Sequence, residues 1–279
     1  RVLSIQSSVV SGYVGNKSAV FPLQTLGIEV DFINSVQFSN HTGYPSWTGE
    51  ALDGPQLQEL VKGMKDNDLI NHTHLLTGYM RSSGILRAVM ETLRLLRSHN
   101  PDCVYVCDPV MGDNGKLYVP EELVPIYREE VVPHASVLTP NQFEAETLTS
   151  LKIGSDADAV VAMQKLHDMG VKIVVITSCA YAENETITLV ASRAQGAGGG
   201  GKFKIEIPKF AGSFTGTGDL LASLLLAWLD LTDDLKQSIE NATATVQAVL
   251  RRTMESGGRE LRLIQSRASI IEPPVQLRA

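Results

Sequence analysis

Gly216-Thr217-Gly218-Asp219 sets two glycines and a carboxylate directly ahead of Leu220–Leu229, an Ala/Leu-rich run that predicts a buried helix. Glycine lets a backbone approach a ligand closely and adopt positive φ. The first N–H groups of a helix lack intrahelical partners and carry partial positive charge. Together these features make an anion site. Asp219 stands beside it, where a carboxylate could take a proton from an attacking hydroxyl. An anion hole next to a base is what phosphoryl transfer to an alcohol requires. The same residues also read as a glycine-rich turn with Asp219 as a plain helix cap.

The elements that must carry such a site can be read from periodicity. Val2–Ser7, Val30–Phe38, His74–Tyr79, Cys103–Asp108, Ser136–Asn141 and Val171–Ser178 are short apolar runs that predict strands. Tyr13–Leu26, Leu57–Lys65, Ile85–Arg97 and Ala159–Met169 predict helices between them. That alternation predicts an α/β fold with a mainly parallel sheet and helices on both faces. Thr186–Ser192 and Phe203–Ile207 predict an antiparallel pair across the glycine-rich, mobile stretch 196–201. Asp234–Met254 predicts a further helix and Glu260–Gln265 a last strand. Without repeats or a Pro-rich linker, residues 1–279 read as one domain. In open α/β sheets ligands bind outside the carboxyl ends of the strands. Those ends carry Ser7, Thr77 to Tyr79, Asp108, Thr139 to Asn141 and Thr177-Ser178, so hydroxyls, carboxylates and an amide converge on one edge. That convergence favours the chemical reading of Asp219 over the cap.

Composition narrows the classes further. A net charge of −7 without a Lys/Arg cluster argues against nucleic acid as a partner. The apolar runs are too short and interrupted to span a bilayer, so no membrane partner is expected. Cys103, Cys107 and Cys179 lie in or beside strand-like runs and read as buried, reduced thiols. With no signal-peptide pattern, a cytoplasmic location is expected. Gly15-Asn16-Lys17-Ser18 misses the Walker A pattern at Asn16, and Leu221 breaks a G-x-G-x-x-G fingerprint. His41, His72 and His74 do not form a zincin pattern.

Several separated segments resemble the pyridoxal kinase family. They are Ser4-Ile5-Gln6-Ser7 with Gly12-Tyr13-Val14-Gly15-Asn16, Phe38 to Tyr44, Leu76-Thr77-Gly78-Tyr79, Asp108 to Asp113, Thr139 to Glu146, Gly216 to Asp219 and Glu260 to Ser266. The Gly-x-Gly-Asp ending is shared across the ribokinase-like superfamily. Gln6-Ser7 and Asn40-His41-Thr42-Gly43-Tyr44 are what point to vitamin B6 rather than a sugar.

The resemblance implies a three-layer ribokinase-like sandwich, a homodimer, and transfer of the ATP γ-phosphate to the 5′-hydroxyl of pyridoxal, pyridoxine or pyridoxamine. It implies Ser7 and Thr42 on the pyridine ring and its substituents, with Val14 and Tyr79 as walls. Asp219 would be the base and Gly216, Thr217 and Gly218 the anion hole. Asp113 and Glu144 would bind or position Mg²⁺. Asp108, Thr139 and Thr177 would lie near a monovalent cation, K⁺ or Na⁺. Asn141, Thr177, Ser178 and Thr217 would meet nucleotide phosphates, and Phe210 to Gly212 would border the adenine. Many relatives carry His where this chain has Ser8, and the lid loop 112–118 looks short beside its counterparts. A hydroxymethylpyrimidine kinase, or a non-catalytic B6- or nucleotide-binding protein, is the alternative reading.

Overall fold

Val- and Ile-rich runs become strands because β-branched side chains pack well on a pleated surface. The computed structural model describes residues 1–181, 185–196, 200–212 and 214–279. In chain order the elements are β1 (Val2–Val9), α1 (Asn16–Thr25), β2 (Val30–Phe38), β3 (Gly49–Ala51), α2 (Gly54–Asp66), β4 (His74–Thr77) and α3 (Ser83–His99). There follow β5 (Val104–Cys107), β6 (Gly112–Asp113), β7 (Lys116–Leu117), α4 (Leu123–Ile126), β8 (Val137–Leu138), α5 (Gln142–Thr149), α6 (Asp156–Asp168) and β9 (Ile173–Cys179). The last are β10 (Thr186–Arg193), β11 (Lys202–Pro208), α7 (Thr217–Thr232), α8 (Leu235–Glu255) and α9 (Arg267–Ile271).

Nine strands form one sheet in the order β11-β10-β9-β8-β5-β4-β1-β2-β3. The run from β9 to β2 is parallel throughout. Antiparallel β10–β11 and β3 close its two sides. Alternating side chains divide the core. Leu3, Ile5, Leu75, Tyr105, Cys107, Leu138 and Val174 face α2, α3, α5 and α6. Val2, Leu76, Val106, Val137, Ile173 and Val175 face α1, α7, α8 and α9. This is the period of two expected of strands buried on both faces, and it yields the three-layer sandwich. Among the described residues no helix is long and apolar enough to cross a membrane.

The chain leaves β1 to pair with β2 on one side, while β4 pairs on the other. The strand order therefore reverses at β1/β4, the kind of point where open α/β sheets hold ligands.

Two expectations need correction. The segment from Glu260 to Gln265 is not a strand; a 3₁₀ turn spans Ile264–Ser266. Leu261 and Leu263 are buried in the face under α7 and α8, which accounts for the apolar alternation, but the sheet's edges are β3 and β11. The first helix starts at Asn16 rather than Tyr13, because Gly15 adopts φ 52 and ψ −129, open to glycine alone. The stretch 112–118 is a closed hairpin, β6–β7, turning through Asn114 and Gly115 at φ 50 and 76. Positive φ at both central residues is the type I′ signature of a tight hairpin. Of the glycine-rich stretch 196–201, residues 197–199 lie outside the described residues. All three cysteines are buried and unpaired.

Candidate active site

Glycine at the N-cap sets the helix starts of the crevice apart from the others. The helices α2, α3, α5, α6 and α8 each begin with an Asp, Ser or Asn side chain capping a backbone N–H. Helices α1 and α7 have glycine at the N-cap and no side-chain cap. At α7 the N-cap is Gly216, left-handed at φ 88. A Cβ there would overlap the Tyr13 carbonyl. The Ser18 hydroxyl donates to the Gly216 carbonyl at 2.9 Å and fixes the turn. Thr217, Gly218 and Asp219 follow as the first helical residues, whose N–H groups have no partner within the helix.

Asp219 is half-buried, and its Oδ2 accepts the Gly15 N–H at 2.8 Å. A Cβ on Gly78, just past β4, would lie 3.3 Å from Asp219 Oδ1 and 2.6 Å from Gln6 Oε1. A Cβ on Gly15 would overlap the Ser7 carbonyl and lie 2.6 Å from Ser7 Oγ. The ends of β1 and β4 thus pack around the Asp219 carboxylate at the switch point. Burial raises its pKa above the ordinary carboxylate value, and the Gly15 hydrogen bond opposes that rise.

Two further carboxylates lie behind it. Asp108, buried at the end of β5, has Oδ2 3.4 Å from the Cβ position of Gly218. Burial raises its pKa strongly, the charges of Glu144 and Asp219 add to this, and the Thr139 hydroxyl opposes it. Glu144 is buried in the first turn of α5. Its Oε1 accepts the N–H groups of Met111 at 2.9 Å and Gly112 at 3.4 Å. Its Oε2 accepts the Asn141 N–H at 2.9 Å, and Asn141 Oδ1 returns the cap to Glu144 N–H at 2.9 Å. Asn141 Nδ2 donates to the Gly112 carbonyl at 2.7 Å. Asn141 and Glu144 therefore fasten the β6–β7 hairpin to α5. Burial pushes Glu144 up to about 7 despite these hydrogen bonds.

The other expected residues spread around this centre. Val14 and Tyr79 share an apolar cluster with Val9, Val36 and Phe38. Thr139 is buried with Oγ1 3.5 Å from the Cys107 carbonyl, and Thr177 Oγ1 lies 3.5 Å from that of Pro140. Thr177 and Ser178 are half-buried at the end of β9. Thr42, Asp113 and Gly212 are exposed. Asp113 accepts from Asn114 N–H at 2.8 Å and Nδ2 at 3.0 Å, and Gly212 sits beside the Phe214 ring. Among the described residues, no three His, Cys, Asp or Glu side chains converge on one metal position. Sequence reasoning gave no separate role to Gly15, Gly78 and Glu260. The two glycines are visible as single letters after predicted strands, but their contact with Asp219 is long-range.

The sequence and the fold both match known proteins. The family model described as phosphomethylpyrimidine kinase matches residues 67–263. The curated pyridoxal kinase of Arabidopsis thaliana is 53% identical over 291 residues, covering 100% of this chain and 94% of the relative. That of Homo sapiens is 44% identical over 304 residues, covering 100% and 97%. The structure of pyridoxal kinase from Leishmania donovani in complex with ADP and pyridoxine superposes with a TM-score of 0.93 at 36% identity, covering 99% of this chain and 97% of that one. The family-model match starts after Gln6-Ser7 and Asn40 to Tyr44, the blocks that point to vitamin B6, whereas the matches to the full-length relatives span those positions. The chain belongs to the pyridoxal kinase family.

Proposed function

We propose that this chain transfers the γ-phosphoryl group of ATP to the 5′-hydroxyl of pyridoxal, and of pyridoxine and pyridoxamine, in vitamin B6 salvage. One observation carries the reading: Asp219 lies in an uncapped, glycine-opened helix start at the strand-order reversal, hydrogen-bonded to Gly15. Solved relatives with ADP and pyridoxine or pyridoxamine support the substrate class.

In this reading Ser7 and Thr42 hydrogen-bond the ring substituents, and Val14 and Tyr79 wall the ring. Asp219 accepts the hydroxyl proton as the new O–P bond forms and the bond to the ADP leaving oxygen breaks. General-base assistance contributes typically about 10²- to 10⁴-fold. Because phosphoryl transfer is often loose, positioning carries much of the rest. The N–H groups of Gly216 to Gly218 meet charge on the transferring group, and one such donor is worth about 3 kcal/mol. Asn141, Thr177, Ser178 and Thr217 meet the phosphates, with Gly212 near the adenine.

The donor set suits hard cations. Asp108, Glu144 and Asp219 are all raised in pKa, and none is in an ion pair among the described residues. Bound Mg²⁺ would neutralise phosphate charge. Glu144 already accepts three N–H groups, so it and Asp113 suit holding Mg²⁺ through water. Asp108, Thr139 and Thr177 offer oxygens for K⁺ or Na⁺. We read residues 1–279 as one kinase domain that works as a cytoplasmic homodimer. Parallel assays with pyridoxal and hydroxymethylpyrimidine test the function. Turnover of pyridoxal with ATP is expected. Preference for the pyrimidine, or binding of pyridoxal without product, would overturn it.

A further inference from the structure

Glu260 lies far along the chain from the substrate loops yet touches both. Its Oε2 accepts the Tyr13 N–H at 3.2 Å, and its Oε1 accepts the Tyr44 hydroxyl at 2.8 Å. His41 Nε2 lies 3.3 Å from the same Oε1. The tautomer follows from the other ring nitrogen. His41 Nδ1 accepts the Gly43 N–H at 3.1 Å, so the proton sits on Nε2 and points at Glu260. The carboxylate also fills the space beside Gly12, where a Cβ would overlap it. Next door, the Arg259 guanidinium lies 4.5 Å over the Tyr44 ring and donates to the Gly43 carbonyl at 3.0 Å. The His41 and Tyr44 rings are 4.8 Å apart. Glu260 raises the Tyr44 pKa, chiefly through this hydrogen bond.

Two oxygens thus gather three donors from two stretches, 12–14 and 41–44. Those stretches carry Val14 and Thr42. We propose that Glu260 is a positioning residue that fastens the Val14 and Thr42 loops to each other and thereby sets the affinity for the B6 vitamer. This rests on the reading of Val14 and Thr42 as vitamer contacts. Thr42 and Gly43 are exposed, and the hydrogen bonds of the 41–44 stretch reach past itself chiefly to Arg259 and Glu260.

Glutamine at 260 keeps the size but offers one acceptor oxygen and one donor nitrogen. Either orientation aims an N–H at another donor. Hydrogen bonds to a charged group are worth more than neutral ones. Glu260→Gln should therefore raise KM for pyridoxal about tenfold. Tyr44→Phe, which removes a single hydroxyl, should raise it about threefold. The double variant should fall short of the product of the two, because both break one contact. KM for ATP should stay within about twofold, and kcat should change less than KM for pyridoxal.

The experiment is steady-state kinetics of the wild type and these three variants with both substrates varied. A pyridoxal-specific rise in KM, sub-multiplicative in the double variant, supports the tie. An unmoved KM for pyridoxal in folded Tyr44→Phe and Glu260→Gln, or an equal rise for ATP, overturns it. If the wild type itself fails to phosphorylate pyridoxal, the functional reading fails instead.

Discussion

The two edges of the parallel sheet carry opposite kinds of charge arrangement. At the amino ends of β4, β5, β8 and β9 lies an open groove of about 800 Å³. It mixes both signs, with Arg97, Lys172 and Arg193 lining it beside Asp102, Asp230 and Asp233. Arg193 pairs with Asp233 at 3.4 Å and His74 with Asp230 at 3.5 Å. Arg97 donates to the carbonyls of Cys103 at 3.4 Å and His134 at 3.0 Å. At the carboxyl edge, Asp108, Glu144 and Asp219 are crowded and raised in pKa, with no cation beside them among the described residues. An uncapped helix start faces them. The difference teaches that volume is a poor guide to chemistry here. Mixed charges offset one another across the groove, whereas like charges held together beside free N–H groups call for a cation and an anionic ligand.

That contrast can be broken most severely at Asp219. Asp219→Asn should lower kcat about 10²- to 10⁴-fold, read in a coupled ADP-release assay. Next comes Gly216→Ala, whose methyl would overlap the Tyr13 carbonyl at positive φ. Displacing the anion-hole donors should cost about 10²-fold in kcat. Gly27, also at positive φ but with open space around it, is the control. Gly27→Ala should cost about 1 kcal/mol of stability and leave turnover intact.

A third change sharpens the electrostatic half of the comparison. The folded-state pKa of Glu144, about 7, lies above its ordinary 4.5. A raised pKa means that the protonated form favours folding. Its contribution is fully present below about 4.5 and is lost as pH rises through about 7. Without ligands the protein should lose stability between pH 5 and pH 8, by on the order of 2 kcal/mol from this group. Glu144→Gln should flatten that slope in thermal melts, and removing both Asp113 and Glu144 should raise the Mg²⁺ requirement sharply. The smallest effect belongs to the opposite edge. Lys172→Ala or Arg193→Ala should leave kcat/KM within about twofold. A large loss there would erase the distinction between the edges.

Much of this was legible in the sequence. The strands at β1, β2, β4, β5 and β9 follow from short apolar runs, and the glycines before α7 mark its start. Local signals also misled. Leu261 and Leu263 alternate as in a strand, yet they are buried under α7 and α8 without strand partners. The contacts that centre the site, Gly15 to Asp219 and Tyr44 to Glu260, join residues 204 and 216 positions apart. Periodicity has no access to such pairs; only the folded chain brings them together.

The central claim is that Asp219 moves the proton while the glycine-opened helix start holds the nucleotide. Single-turnover transfer from ATP to pyridoxal by Asp219→Asn, with ATP affinity titrated on the same sample, tests it most directly. The account predicts that transfer collapses while ATP binds nearly as in the wild type, and that the wild-type rate falls with acid as the raised Asp219 carboxyl takes up its proton. Loss of ATP affinity in proportion to the loss of rate would make Asp219 a structural cap and contradict the account.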